Sequence, residues 1–119
     1  MFNIIIAGGR DFNDYELLKE KVDFYLTNIP KECIQIISGM ASGADTLGYK
    51  YAIERGYPCI KFPAKWDIHG KAAGHIRNKA MAEHADALIA FWDGKSRGTK
   101  DMIKRAREHG LHVRVVRYE

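Results

Sequence analysis

Glycine recurs with charged residues in four segments of the sequence, each directly after an apolar run. The segments are GGRDF (8–12), SGMASGAD (38–45), PAKWDIHGKAAGHIRN (63–78) and DGKSRGT (93–99). Glycine permits close approach of a ligand to the backbone, and arginine presents a planar fork of N–H donors that fits phosphate or carboxylate. The pattern therefore predicts a binding site for an anionic ligand.

The residues predicted to contact this ligand come from all four segments. They are Gly8, Gly9, Arg10, Asp11, Ser38, Gly39, Gly43, Ala44, Asp45, Trp66, Arg77, Asn78, Asp93, Ser96, Gly98 and Thr99. Gly43 and Ala44 open a predicted helix, where free N–H groups and the helix dipole favour an anion such as phosphate. Asp45 is predicted to accept a hydrogen bond from a ribose or a base, and Trp66 to stack on a base.

Each segment also has a purely structural interpretation, which the sequence leaves open. A tight turn accounts for the first glycine pair if Arg10 forms an ion pair with Asp11. Close packing of a helix on a sheet accounts for the small residues near Ala44, and Trp66 serves equally well as an aromatic plug over the end of the sheet. Arg77 lies in the first turn of a predicted helix, where the helix dipole disfavours a cation, so a ligand or an acidic partner is expected there.

Catalytic chemistry is less evident than binding. The sequence contains neither G-x-S-x-G nor H-E-x-x-H, and DGKSRGT differs from the G-x-x-x-x-G-K-[ST] phosphate loop. Asp45, Asp101 and Arg77 are the candidate catalytic residues, and the sequence does not choose between them. The histidines lack metal-ligand spacing, so no metal site is predicted and no cofactor is firmly implied.

The four segments connect elements whose apolar period alternates between that of a strand and that of a helix. Strands are predicted at 2–7, 33–38, 58–62, 85–92 and 112–118, and helices at about 15–29, 44–55, 74–84 and 98–109. Repeated βαβ units indicate one domain, residues 1–119, with the α/β fold of a three-layer Rossmann-like sandwich. We expect a parallel five-stranded sheet of order 3-2-1-4-5, helices on both faces and the last strand at an edge. All four segments then lie at the carboxyl edge of the sheet, where such folds bind ligands.

Net charge and composition narrow the classes of partner that the protein is expected to bind. The formal net charge is +4, which suits a nucleotide or, less specifically, nucleic acid. No apolar stretch approaches the ~20 residues of a membrane span, so no membrane partner is expected. Cys33 and Cys59 lie in apolar runs and are predicted to be buried, reduced thiols of a cytoplasmic protein. Pairing of the edge strand or of an exposed helix would give a homo-oligomer.

The segments GGRDF, SGMASGADTLGYKYA, FPAKW and GKAAGHIRNKAMAEHADALIAFWDGKSRGTKDMI together resemble the YspA-like family of the SLOG superfamily, found in bacteria and phages. The resemblance covers nearly the whole chain and implies a Rossmann-like sheet with a pocket for a nucleotide or a nucleotide-derived ligand. It places nine residues at motif positions: Gly9, Arg10, Gly39, Gly43, Asp45, Arg77, Asn78, Gly98 and Thr99.

Two related families imply different functions. The LONELY GUY phosphoribohydrolases carry P-G-G-x-G-T-x-x-E, of which GKSRGTKDM keeps Gly98 and Thr99; Met102 occupies the acidic position, and Asp101 is the nearest acid. DNA-processing protein A carries a segment similar to SGMASGAD in a domain that binds single-stranded DNA. The leading hypothesis is a domain that binds a small nucleotide derivative as a sensor or processing module. The alternatives are a hydrolase of the N-glycosidic bond of a nucleotide derivative and a module that binds single-stranded nucleic acid.

Overall fold

The computed structural model describes residues 1–118 of the chain. The predicted domain boundary at residue 119 lies one residue outside this range. Within residues 1–118, five strands and five α-helices follow one another, with two helices in succession between the third and fourth strands. They are β1 (Phe2–Gly8), α1 (Tyr15–Tyr25), β2 (Ile34–Ser38), α2 (Ala44–Arg55), β3 (Cys59–Lys61), α3 (Trp66–His69), α4 (Ala73–His84), β4 (Ala87–Trp92), α5 (Arg97–Glu108) and β5 (His112–Arg117).

The strands form one parallel sheet in the order β3-β2-β1-β4-β5. This confirms the predicted fold class and strand order, including the edge position of β5. The observed bounds differ from the predicted ones by one or two residues: β1 is one residue longer, and the other four strands are slightly shorter. The carboxyl ends of β1, β2 and β4 lie side by side, which brings the connections that follow them to one edge.

Alternation along β1 explains the two layers of the core. Ile4 and Ile6 pack in a cluster that includes residues of α1 and α2, whereas Ile5 and Ala7 pack on the opposite face with residues of α4 and α5. Successive side chains of a strand point to opposite faces, so an uninterrupted apolar run is required where both faces are covered by helices. The central strands are therefore fixed on both sides, and their ends form a rigid base for the connections.

The chain differs from the sequence-based expectation around the end of the first helix. Asp14 caps α1 by accepting a hydrogen bond from the N–H of Leu17 at 3.1 Å, but the helix ends at Tyr25 instead of continuing to Ile29. A 3₁₀ turn, Lys31–Cys33, then precedes β2. This turn leaves Cys33 exposed, so the prediction that Cys33 is buried was wrong; Cys59, at the start of β3, is only half-buried.

The connection after β3 contains helical structure that periodicity did not predict. The short helix α3 is followed by a 3₁₀ turn, Gly70–Ala72, which leads directly into α4. Six consecutive exposed residues from Lys65 to Gly70 carry no apolar stripe, so the sequence gives no helical signal there. Within residues 1–118, no helix combines the length and the apolar character that crossing a membrane requires.

Candidate functional site

A cavity of about 480 Å³ opens at the carboxyl edge of the sheet. It lies between the connection after β1, the first half of α4 and the start of α5. Most of the residues predicted to contact a ligand line it: Gly8, Gly9, Arg10, Asp11, Asp45, Trp66, Arg77, Asn78, Asp93, Ser96, Gly98 and Thr99. The cavity therefore brings together residues that are separated by up to 91 positions in the sequence.

Four predicted contact residues lie outside this cavity. Ser38 is fully buried, and its hydroxyl donates to the carbonyl oxygen of Asp45 at 2.9 Å. Gly39 lines a smaller adjoining cavity of about 350 Å³. Gly43 and Ala44 line neither cavity. Ser38 thus stabilises the turn between β2 and α2, and Gly39 faces the smaller cavity.

At the start of α2, one of the two N–H groups predicted to bind phosphate is already engaged within the protein. The N–H of Ala44 donates to the carbonyl oxygen of Gly9 at 3.1 Å, so it is not free for an anion. Gly43 has φ +82°, and a Cβ there would lie 2.6 Å from the carbonyl carbon of Arg10. The first turn of α2 is therefore packed against the connection after β1, and its small residues serve this close contact.

Asp45 and Arg77 lie on either side of Gly39, at the junction of the two cavities. A Cβ on Gly39 would lie 2.6 Å from Nη1 of Arg77 and 2.6 Å from Oδ2 of Asp45, so a larger residue would displace one of these two side chains. Burial raises the pKa of Asp45 to about 6, although the Arg77 guanidinium and backbone N–H groups, among them that of Ala41, oppose the shift. Asp45 is thus the candidate acid that borders the cavity.

Hydrogen bonds hold the Arg77 side chain at both ends of its guanidinium group. Nη1 donates to the carbonyl oxygen of Gly39 at 2.7 Å, and Nε donates to Oδ1 of Asn78 at 2.9 Å. Nη2 makes no hydrogen bond within residues 1–118, where the one buried side-chain polar atom without a partner is Oδ1 of Asn3. Nη2 is therefore accessible, and Arg77 presents a fixed donor to a cavity ligand.

Asp101, predicted as a candidate catalytic acid, lies behind the cavity wall. Its carboxylate accepts hydrogen bonds from Nδ2 of Asn78 at 2.9 Å and Nε of Arg105 at 3.1 Å, and it lies 3.0 Å from Nδ1 of His75. Burial opposes ionisation of Asp101, but the bonds from Asn78, His75 and Arg105 outweigh it and lower its pKa. Asp101 joins α4 to α5 and orients Asn78, which in turn orients Arg77.

The start of α5 contributes backbone groups to the cavity. Oδ1 of Asp93 accepts the N–H groups of Lys95 and Ser96, each at 2.8 Å, and these bonds lower the pKa of Asp93. The N–H groups of Arg97 and Gly98 have no hydrogen-bond partner within the described chain. A Cβ on Gly98 would have nothing within 4 Å, so open space lies directly over the first turn of this helix.

Arg10 and Trp66 lie together where the two cavities adjoin. The guanidinium carbon of Arg10 is 5.8 Å from the ring centroid of Trp66, which is 50% exposed. Arg10 forms no ion pair with Asp11 within the described residues; Oδ1 of Asp11 instead accepts the hydroxyl of Tyr118 at 2.6 Å. The Arg10–Asp11 ion pair, by which a tight turn would have explained the first glycine pair, is therefore absent from the described residues. The N–H donors of the Arg10 guanidinium group remain available.

Sequence reasoning missed several residues of the cavity. They are Ala7, Ala41, Lys71, Gly74, His75, Met81, Arg97 and Met102. Lys71, Gly74 and His75 lie in a segment already identified, and the available signal was the spacing of Gly74, three residues before Arg77 on the same helix. Among the described residues, no group of three or more His, Cys, Asp or Glu side chains is placed to hold a metal ion.

A protein-family model matches the larger, N-terminal part of the chain. Residues 2–69 match the model described as the YspA, cpYpsA-related SLOG family. The gene 61 protein of Mycobacterium phage D29 is 29% identical over 119 residues, which cover 95% of this chain and 94% of that protein.

Solved structures of DNA processing protein A share the fold. The protein from Streptococcus pneumoniae superposes with a TM-score of 0.73 at 19% identity, over 99% of this chain and 50% of that one. A structure of the Helicobacter pylori protein, whose title refers to its single-stranded DNA binding mode, gives a TM-score of 0.65 at 16% identity over 99% and 66% of the two chains. The chain thus spans half to two thirds of these neighbours, and the likeness concerns the fold.

Proposed function

Because the chain belongs to the YspA, cpYpsA-related SLOG family, we propose that it binds a phosphate-containing nucleotide derivative at the carboxyl edge of its sheet. The observation that carries this proposal is the cavity of about 480 Å³, which joins arginine side chains to glycine backbone. Its volume falls within the ~300–1,000 Å³ of small-molecule sites in proteins. The ligand class follows from the charge and shape of the lining.

The accessible charge of the cavity favours an anion. Arg10, Arg77 and Arg97 contribute guanidinium groups. Of the lining acids, Asp11 accepts the Tyr118 hydroxyl and Asp93 accepts backbone N–H groups, so their charge is partly compensated within the protein. A guanidinium group binds phosphate through two parallel hydrogen bonds.

The remaining features fit the other parts of a nucleotide. The N–H groups of Arg97 and Gly98 offer a helix N-terminus to the phosphate, and the exposed Trp66 ring offers a stacking face to the base. Asp45 offers a carboxyl oxygen to a sugar hydroxyl. These roles support a sensor or processing domain, with Asp45 the acid if the ligand is hydrolysed.

Calorimetric titration tests the proposal directly. Purified protein is titrated with nucleoside monophosphates, cyclic nucleotides, NAD and ADP-ribose, and the incubated samples are analysed for released base. Arg10→Gln removes one cavity cation whose contact is the Trp66 ring, and we expect at least about a tenfold loss of affinity, since hydrogen bonds to charged groups contribute ~1.5–3 kcal/mol.

Arg114→Gln is the matched control, because Arg114 is an exposed residue of β5 and lines neither cavity at the sheet edge. It loses the same charge and should bind as the wild type does. No heat of binding with any of these compounds, or equal affinities of Arg10→Gln and wild type, would contradict the proposal.

A second candidate is binding of single-stranded nucleic acid. The observation that favours it is the fold shared with DNA processing protein A, including the structure whose title refers to single-stranded DNA binding. A terminal or extruded nucleotide would occupy the same cavity. An oligothymidylate that competes with a bound mononucleotide supports this function, and one that binds without displacing it excludes a shared cavity.

A further inference from the structure

A third cavity, separate from the two at the sheet edge, lies along the outer side of α5 and has a volume of about 540 Å³. We call it the α5 groove. Its lining includes Trp92, Arg97, Lys100, Lys104, Arg107 and Glu108. Arg97 also lines the cavity at the sheet edge. The groove therefore continues from the mouth of the candidate nucleotide site.

Four cations of the groove form one stripe on the helix. At 3.6 residues per turn, Arg97, Lys100, Lys104 and Arg107 fall within about a quarter of the circumference. All four are exposed, and within residues 1–118 none of them forms an ion pair. The stripe is about 15 Å long, from a rise of ~1.5 Å per residue, and its four cations can each contact one phosphate of a strand laid along it.

Trp92 adds an aromatic surface to the same groove. Its Nε1 donates to the carbonyl oxygen of Ser96 at 3.0 Å, and the guanidinium carbon of Arg117 lies 5.5 Å from its ring centroid. These contacts fix the orientation of the ring. A fixed aromatic ring beside a row of unpaired cations is the combination that binds a base and its phosphate backbone without sequence preference.

We propose that the α5 groove binds single-stranded nucleic acid, with the phosphates along the lysine and arginine stripe and a base on Trp92. The proposal rests on the second function given above, because it names a surface for that ligand class. A duplex keeps its bases stacked and paired, so it cannot place one on Trp92. Two acids also line the groove: Asp101, whose carboxylate already pairs with His75 and Arg105, and Glu108, at the far end of the stripe.

Fluorescence anisotropy of a labelled oligothymidylate, measured over a series of salt concentrations, tests the stripe. Four phosphate contacts predict a slope of log affinity against log salt of about −3, at about −0.7 for each contact on a single strand. Lys100→Gln combined with Lys104→Gln should bring the slope to about −1.4 and weaken binding on the order of tenfold near 0.1 M salt. The matched control is Lys21→Gln combined with Lys31→Gln, which removes the same charge from α1 and the 3₁₀ turn, away from the groove.

Tryptophan fluorescence tests the stacking face. The chain has two tryptophans, so Trp66→Phe leaves Trp92 as the sole reporter, and we expect the oligothymidylate to quench it. Groove variants that bind like the control, an unquenched Trp92, equal affinity for a duplex, or a preference for vesicles of anionic lipid would each overturn the proposal.

The two proposals fail in different ways. Titration of the double lysine variant with the mononucleotide that binds the cavity should give wild-type affinity, because Lys100 and Lys104 do not line that cavity. Absence of any oligonucleotide binding would reject both the groove and the second candidate function. Oligonucleotide binding that is insensitive to the groove variants would reject the groove alone.

Discussion

Ionisation of Asp45 should make the stability of the ligand-free protein depend on pH. Asp45 is 4% exposed, and burial raises the pKa of its carboxyl group to about 6 in the folded protein, against about 3.9 in an unfolded chain. The folded state therefore keeps this proton to a higher pH than the unfolded state does. Stability consequently falls as pH rises from about 4 to about 6, and two pKa units correspond to about 3 kcal/mol.

Asp45→Asn should abolish this dependence. The free energy of unfolding is measured by urea denaturation of wild type and variant between about pH 4 and about pH 7, and the wild-type value minus the variant value is plotted. The subtraction cancels the other titrating groups, so the difference should fall by up to about 3 kcal/mol as pH rises.

Asp67→Asn is the matched control for the loss of one carboxyl group, because Asp67 is exposed on the short helix α3. A difference curve for Asp45→Asn that is flat, or that rises with pH, would refute the assignment of Asp45 as a buried acid with a raised pKa. A curve of the expected sign with an amplitude below about 1 kcal/mol would mean that the Arg77 guanidinium and the backbone N–H groups compensate most of the burial.

Three further substitutions test packing and the cavity. Gly48→Ala should lower the free energy of unfolding by about 1–3 kcal/mol in urea denaturation, because its Cβ would lie 2.8 Å from Cβ of Ile6; unchanged stability would contradict the close contact. Gly98→Ala meets no atom within 4 Å, so calorimetry should show weaker nucleotide binding with stability retained, and unaltered affinity would place the phosphate elsewhere. Tyr118→Phe loses the 2.6 Å bond to Asp11 and should lower the melting temperature by a few degrees, for about 1 kcal/mol; an unchanged melting temperature would show that this bond adds nothing.

Much of the fold could be predicted from local signals alone. The uninterrupted run at Ile4, Ile5 and Ile6 indicates a strand buried on both faces, and alternation of strands with helices requires parallel pairing by right-handed crossovers. The bounds of α2 were predicted correctly, because Gly56 in the left-handed conformation ends the helix. The short helix after Lys65 was not predicted, because its residues are exposed and carry no apolar period.

The candidate site was predicted in part. Residue type and position after a strand were enough to select Arg10, Arg77 and Gly98, because every strand-to-helix connection of a parallel sheet must reach the same edge. The same reasoning assigned the N–H of Ala44 to a phosphate, whereas the structure gives it to the carbonyl oxygen of Gly9. Which backbone donors are free depends on how two connections pack against each other, and the spacing within one segment carries no information on that.

The sequence by itself determined the parallel α/β sheet and the edge at which glycine and charge accumulate, because strand and helix periods and turn chemistry are local properties. Tertiary structure alone decided the roles of the acids. Asp45 borders the cavity and Asp101 lies behind its wall, where it holds Asn78. Both are aspartates near the start of a helix, and they differ in the partners that distant parts of the chain bring to them. Burial and hydrogen bonding across such separations set a carboxyl group's pKa, so the distinction exists only in the folded molecule.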